Sequence, residues 1–342
     1  MRKTRLPAKS LLRFAALYLG LTLTVSILPN TVHGEPPDGT FVSESGSAVT
    51  TTVGVPATAI AAATASSELD RQIQAWVDKL SAQTGFDTWS RATWNRFPLG
   101  PGLHGWVVLL QENGNEIGYL VVSSASDGSL VLAEYGIGSS PLFSLQTLYR
   151  TLVQLALIPD TMSLVAFVAQ PGFTLERLYL SSLHAVWRLN ADSEESIYVD
   201  AKTGEQLPLS KRNIESLKSL TNPSAATEAS PSLGLPKLTD GLQPTAAREW
   251  PIFDPFHNTY WLTGGSPLNV NNVNDLTLAM DSGPDTAITY RGDLYDRAVL
   301  APFAVTGVVP WNDQSAFVRL EQDGSRYMPL EELKRFGTFH LP

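Results

Sequence analysis

Tight turns between apolar runs constrain the fold of this chain more than any other feature of its sequence. Asn113-Gly114 separates two apolar runs at 106–110 and 117–122, and Asn-Gly is a strong signal for the two-residue turn of a β-hairpin. Asp127-Gly128 is a second turn of this kind, and Asp323-Gly324 is a third near the end of the chain. Because hairpins join antiparallel neighbours, the sequence predicts sheets built from consecutive antiparallel strands.

Apolar residues at helical spacing predict helices between these strands. A first helix covers about 69–80 with Gly85 as its stop signal, a short second helix carries Trp89 and Trp94, and a third begins at Leu145 and stops before Pro159. Further strands are predicted at 164–169, 174–180, 184–189, 196–200, 317–321 and 327–328, and further helices at 214–220 and at 330–336, which ends at Gly337. The expected fold class is α+β, an antiparallel sheet with helices followed by a small β-rich module.

The first 34 residues have the order of a secretory signal peptide. Five basic residues and no acid precede the apolar run: Arg2, Lys3, Arg5, Lys9 and Arg13. The run at 14–28 is shorter than the roughly 20 residues that a membrane-spanning helix needs. Val32 and Gly34 are small residues at the positions that signal peptidase reads, so we expect cleavage after Gly34. An uncleaved anchor is the alternative, and no later segment is apolar enough to span a membrane.

Composition excludes several classes of function. The chain has 24 basic and 33 acidic residues; without the five basic residues of the signal the balance is 19 against 33, a net charge of -14. A protein this acidic repels nucleic acid. Cysteine is absent, which excludes disulfides, thiolate metal sites, cysteine nucleophiles and a lipid-anchored lipoprotein. Export without disulfides is typical of Gram-positive bacteria, so we expect a secreted protein or one at the outer face of the cell envelope.

Shifts in composition predict the organisation of the chain. The predicted segments are a signal peptide at 1–34, a flexible low-complexity spacer at 35–66, an α+β domain at 67–208, a linker at 209–247 and a small β-rich module at 248–342.

Two stretches of the first predicted domain carry a resemblance to known families. Residues 118–123, Asp127-Gly128 and 132–136 resemble the strand-turn-strand core of propeptides in secreted cysteine peptidases of the streptopain type. Residues 185–189 and 198–205 are similar to the closing hairpin of PepSY-type domains, in which a Trp strand precedes a D-a-x-T-G-e turn. The resemblance implies a propeptide-like domain. Because no cysteine follows it, the resemblance implies a stand-alone binding or inhibitory module, not a zymogen.

The second stretch also has a direct physical interpretation. Asp200 can accept hydrogen bonds from the following backbone N–H groups, and Gly204 can adopt a positive φ, so 200–205 is expected to close a tight turn. Trp187 is then expected to anchor the core.

The clearest hint of catalysis is Asp281-Ser282-Gly283 after an apolar run. It resembles the active-site turn of retroviral-type aspartic peptidases, in which two chains of near 100 residues each supply one Asp. Asp281, Asp285 and His257 are therefore the candidate catalytic residues of a hydrolase. A plain Asp-Ser-Gly turn is the alternative.

Metal and cofactor sites are not predicted. His104 and His184 are expected to be structural, and no helical His pair is present for a metal. The Asn-rich stretch 269–275 offers oxygen atoms, but its spacing misses the EF-hand pattern, so its Asn residues are expected in turns. Nucleophile-elbow and phosphate-loop motifs are missing.

Aromatic residues are dense at the start of the last module, where Trp250, Phe256, Tyr260 and Trp261 are the candidate binding residues. They either stack on sugar rings of a cell-wall glycan or pack within the protein. We expect a secreted protein without enzymatic activity that binds a peptide, a peptidase or a cell-wall component; a hydrolase and a glycan-binding or structural protein are the alternatives.

Overall fold

A computed structural model describes residues 57–100, 105–125, 129–191, 195–221, 235–237, 244–245, 247–257, 259–263, 265–283, 286–311 and 315–342. The predicted signal peptide, its cleavage site after Gly34, and the predicted turn at Asp127-Gly128 lie outside these residues. Within the described part, no helix combines the length and the apolar character needed to cross a membrane.

The chain alternates groups of antiparallel strands with short helices, which confirms the predicted α+β class. The helices are α1 (Ala57–Ser81), α2 (Leu145–Gln154), α3 (Leu164–Val168), α4 (Lys211–Thr221), α5 (Tyr260–Thr263), α6 (Val273–Met280) and α7 (Leu330–Phe336). The strands of the first half are β1 (Thr93–Leu99), β2 (Gly105–Glu112), β3 (Asn115–Ser124), β4 (Leu130–Ile137), β5 (Phe173–Ser181), β6 (His184–Ala191), β7 (Ile197–Asp200) and β8 (Gln206–Leu207). The strands of the second half are β9 (Arg248–Glu249), β10 (Ser266–Leu268), β11 (Thr289–Leu294), β12 (Val299–Pro310), β13 (Ala316–Glu321), β14 (Ser325–Pro329) and β15 (Gly337–Leu341).

One large sheet runs through both halves of the chain. Its strand order is β1-β2-β3-β4-β14-β13-β12-β11-β15-β10, with β9 beside β12, while β5 to β8 form a second sheet in chain order. The junction is the antiparallel pairing of β4 with β14, in which Tyr327 lies opposite Tyr135. The segments that the sequence assigned to two modules therefore share a continuous sheet.

Both faces of the central strands are buried, which explains their long apolar runs. Val107 and Leu109 of β2 pack against α2, α3 and the second sheet, whereas Val108 and Leu110 pack against α1. Because side chains alternate between the faces of a strand, an apolar run without polar interruptions marks a strand that is covered on both sides. Trp187 is buried on the α2 side, as expected for a core anchor.

Three secondary-structure predictions are wrong. Helix α1 begins at Ala57, so 57–66 belong to a helix and not to a flexible spacer; the alanines of this stretch favour helix. Trp94 lies on β1, while Trp89 lies on a single 3₁₀ turn at Asp87–Arg91. Residues 164–168 form α3 instead of a strand, because Ser163 caps them by accepting a hydrogen bond from Ala166 N at 3.2 Å.

Part of the predicted linker is also ordered. Helix α4 buries Ile214 and Leu217 in the core beneath the second sheet, and Leu132 N donates to Pro236 O at 3.1 Å. The apolar spacing in this stretch is weak because only one narrow face of α4 is covered.

Candidate functional site

The D-A-K-T-G-E turn forms as the sequence predicts. Asp200 Oδ1 accepts hydrogen bonds from Lys202 N at 2.8 Å and Thr203 N at 2.7 Å, and Gly204 has a φ of 78°. The buried Lys202 Nζ donates to Ser140 O and to Asp323 O. Burial, together with the charge of Arg326, lowers the pKa of Lys202 to about 8. The turn therefore connects the first half of the chain to the β13–β14 turn of the second half.

Asp281 lies at the carboxyl end of helix α6, so the apolar residues that precede it are helical. Its carboxylate accepts a hydrogen bond from Arg248 and another from Trp250 Nε1 at 3.4 Å. These bonds hold the end of α6 against the stretch that begins at β9. Among the described residues, the Asp281 carboxylate is thus paired with Arg248 and Trp250.

The other two candidate catalytic residues give no support to a paired-carboxylate site. His257 Nδ1 lies 3.5 Å from Asp254 Oδ2, and the His257 side chain is exposed. Asp285 lies outside the described residues. The structure thus pairs His257 with Asp254 and Asp281 with Arg248, and the hydrolase hypothesis remains a prediction.

The Asn-rich stretch before α6 forms a helix cap. Asn272 Oδ1 accepts a hydrogen bond from Asn274 N at 2.9 Å, while Asp275 Oδ2 accepts from Asn271 N at 2.7 Å and from Asn272 N at 3.2 Å. This is a capping box, which satisfies the free N–H groups at a helix start. Among the described residues, no group of three or more acidic, His or Cys side chains is arranged to hold a metal ion.

The predicted aromatic residues divide between packing and exposure. Trp250 is half-buried against the core, and Trp261 is buried with its ring 6.3 Å from that of Phe256 in an edge-to-face arrangement. Phe256 is 68% exposed. The Tyr260 side chain lies outside the described part of the structure. Because a sugar platform needs exposed ring faces, only Phe256 of the described aromatic side chains offers one.

Exposed apolar side chains lie in this aromatic stretch and on α6, and together we call them the exposed apolar surface. It consists of four side chains that are more than half exposed: Ile252, Phe256, Leu262 and Leu278. The first three lie within eleven residues of sequence, and the bonds of Asp281 bring the end of α6, which carries Leu278, to the beginning of this stretch. The stretch is fixed to the large sheet by Trp250 N donating to Thr306 O at 2.8 Å, and α5 packs on β11 and β15.

A buried polar network, which no motif in the sequence predicted, joins the two halves of the chain. Glu134 of β4 is fully buried and accepts bonds from Arg326 Nε at 3.0 Å and Nη2 at 2.8 Å. Tyr119 and Tyr179 donate their hydroxyl groups to the same carboxylate. Arg326 Nη2 also donates to Ser182 O at 2.6 Å. Burial lowers the pKa of Arg326, but the charge and hydrogen bonds of Glu134 outweigh burial and raise it.

A second buried carboxylate lies beside this network. Glu332 of α7 accepts hydrogen bonds from both Ser182 N and Ser182 Oγ. Burial raises the pKa of Glu332 to about 7, although the bonds from Ser182 oppose the rise.

The sequence contains one signal of the buried polar network. Glu134 is an acid inside the apolar strand 130–137, and buried acids need partners.

No known protein family, curated protein or solved structure matches this chain. The resemblance to PepSY-type and streptopain-type propeptide domains therefore remains a hypothesis.

Proposed function

We propose that this chain is an exported protein without enzymatic activity that binds a secreted peptidase through its exposed apolar surface and thereby regulates it. The apolar surface of Ile252, Phe256, Leu262 and Leu278 carries the proposal. Single exposed apolar residues are ordinary, whereas several exposed apolar residues grouped in one part of the surface are typical of interaction sites.

The acidic residues described above are held in hydrogen bonds within the protein, which supports a binding function over a catalytic one. Asp281 and Asp275 hold α6 in place, while Glu134 and Glu332 lie in the interior with protein partners. Export, which the first 34 residues predict, would bring the protein to the compartment in which secreted peptidases act. The propeptide resemblance of residues 118–136 and 185–205 suggests the class of partner.

Removing one large apolar side chain from this surface should weaken the complex about 10- to 100-fold. Burial of such a side chain contributes about 1.5–3 kcal/mol, and each 1.4 kcal/mol is tenfold in affinity. We would measure binding and inhibition across a panel of secreted cysteine peptidases and metallopeptidases with Phe256→Ser and Leu262→Ser. Val165→Ser is the matched control, because Val165 is 76% exposed on α3. Binding that is equally weakened by all three variants, or absent across the panel, would refute the proposal.

The alternatives predict different results in the same preparation. A hydrolase would show peptidase activity that Asp281→Asn abolishes, whereas we expect none in the unaltered protein. A glycan-binding protein would sediment with purified cell wall and lose this property with Phe256→Ser.

A further inference from the structure

Arg177 is a cation on a face of β5 that is otherwise apolar. Because side chains alternate along a strand, Arg177 shares its face with Leu175 and Tyr179, which pack in the core on the α2 side. The guanidinium carbon lies over the ring of Phe97 at 4.4 Å and over the ring of Trp187 at 4.6 Å, measured to the ring centroids. Phe97 belongs to the large sheet and Trp187 to the second sheet, so this cation contacts both sheets.

The backbone fixes the position of Arg177. Gly100, directly after β1, donates from its N to Arg177 O at 2.8 Å, and a parallel bridge joins Gly100 to Leu178. Strand β1 is an end strand of the large sheet, and β5 is an end strand of the second sheet. Arg177 therefore lies where the edges of the two sheets meet.

The Arg177 guanidinium has no hydrogen-bond acceptor among the described residues. Its Nε atom is buried without a partner, and so is Nε1 of the neighbouring Trp187. Arg188, which follows Trp187 on β6, differs in this respect because it pairs with Glu176. A buried donor without an acceptor is costly and uncommon, so the two donors beside each other distinguish this place from the rest of the second sheet.

The charge of Arg177 is also not compensated. Burial lowers the pKa of Arg177 to about 10, and no carboxylate among the described residues opposes this shift. The side chain therefore stays charged at neutral pH. It is only partly buried, and the N–H groups of a guanidinium lie in its plane, so stacking on rings leaves them available to an acceptor from outside.

We propose that Arg177 binds a carboxylate group where the edges of β1 and β5 meet. A carboxylate is planar, carries one charge and accepts two parallel N–H bonds from a guanidinium, which matches one unpaired arginine. The rings of Phe97 and Trp187 hold the side chain in place before binding, so little side-chain entropy is lost. This site goes beyond the proposed function, because it lies on β1, β5 and β6 and not on the exposed apolar surface.

Nuclear magnetic resonance titration of the purified protein with three short peptides tests the site. One peptide has a free C-terminal carboxylate and no acidic side chain, the second is an amide with one glutamate, and the third is the same amide with glutamine. We expect a saturable shift of the Arg177 Nε–H and Trp187 Nε1–H signals with at least one of the first two peptides and none with the third. The peptide that binds more tightly identifies the source of the carboxylate.

Variants separate the site from general effects of charge. Arg177→Met should abolish the shift of the Trp187 signal, and Arg177→Lys should weaken binding about tenfold, because an ammonium group cannot donate two parallel bonds. Arg188→Met is the matched control: it removes one positive charge from the same sheet, but from an arginine that already pairs with Glu176, so binding should be unchanged.

Three results would overturn the proposal: no shift with either carboxylate peptide, the same shift with sodium chloride at equal ionic strength, or a shift that persists in Arg177→Met. An arginine with only a structural role would show the first of these results, even if its replacement lowered stability. If Arg177→Met does not fold, the comparison of the three peptides with sodium chloride in the unaltered protein decides.

Discussion

Replacement of Arg326 by methionine should lower the free energy of unfolding by about 3–5 kcal/mol, because it leaves the Glu134 carboxylate buried without its countercharge. Arg326 is 4% exposed and Glu134 is fully buried. Methionine retains much of the side-chain volume, so the loss of the charge and of the bonds to Glu134 and Ser182 O dominates the expected effect. Urea unfolding followed by tryptophan fluorescence would measure it.

A double variant separates the effect of the unpaired Glu134 charge on stability from the effect of the hydrogen bonds that are lost with Arg326. Glu134→Gln combined with Arg326→Met keeps an acceptor for the hydroxyl groups of Tyr119 and Tyr179 but removes the unpaired charge, so most of the lost stability should return. Arg91→Met is the surface control: Arg91 pairs with Glu112 at 3.1 Å, its side chain is 66% exposed, and exposed pairs contribute at most about 1 kcal/mol. Equal losses for Arg326→Met and Arg91→Met would contradict the prediction.

The same experiment tests whether the two halves unfold together. Arg326 lies on β14 and Glu134 lies on β4, and these strands pair at the junction of the large sheet. We therefore expect one unfolding transition in the unaltered chain. Two separate transitions would show that the halves are energetically independent.

Local features of the chain could be predicted from the sequence where a residue pair such as Asn-Gly specifies one type of turn. Asn113 and Gly114 have φ values of 53° and 80°, as a hairpin turn with positive φ at both positions requires, and β2 and β3 pair on either side of them. The short apolar run 164–168 was assigned wrongly, because five apolar residues fit a strand or a helix and only the Ser163 cap distinguishes the two.

The polar network could not be predicted from local patterns. Glu134 and Arg326 are 192 positions apart, and no turn signal specifies that β4 pairs with β14. An acid in an otherwise apolar strand indicates only that a partner exists; the partner follows from the register of two distant strands. The exposed apolar surface could likewise be predicted only in part. The sequence indicates the aromatic residues, but it does not show that Trp261 is buried and Phe256 exposed.

Gly337 illustrates a position that was predicted correctly for a different physical reason. The sequence placed the end of a helix at this glycine, and α7 does end at Phe336. A helix-ending glycine usually supplies a left-handed φ, but Gly337 has a φ of -178°, an extended conformation that any residue adopts. Space is the actual constraint: a Cβ atom at 337 would lie 2.1 Å from Arg291 O and 2.4 Å from the Tyr290 hydroxyl.

Replacement of Gly337 by alanine should therefore lower the free energy of unfolding by about 3 kcal/mol, at the upper end of the usual cost of overpacking. The new methyl group would force β15 away from β11 and displace the Tyr290 hydroxyl from Leu333 O, to which it donates at 2.9 Å. The midpoint of thermal unfolding should fall by about 6–12 °C.

Gly85→Ala is the matched control for this substitution. Gly85 has a φ of 86° and no heavy atom within 4 Å of a Cβ built on it, so alanine there costs only the conformational strain of about 1–2 kcal/mol. Gly337→Ala combined with Tyr290→Phe should recover part of the loss, since it removes the hydroxyl contact but leaves the clash with Arg291 O. If Gly337→Ala were no more destabilising than Gly85→Ala, the close approach of β11 and β15 at this position would not be what requires glycine.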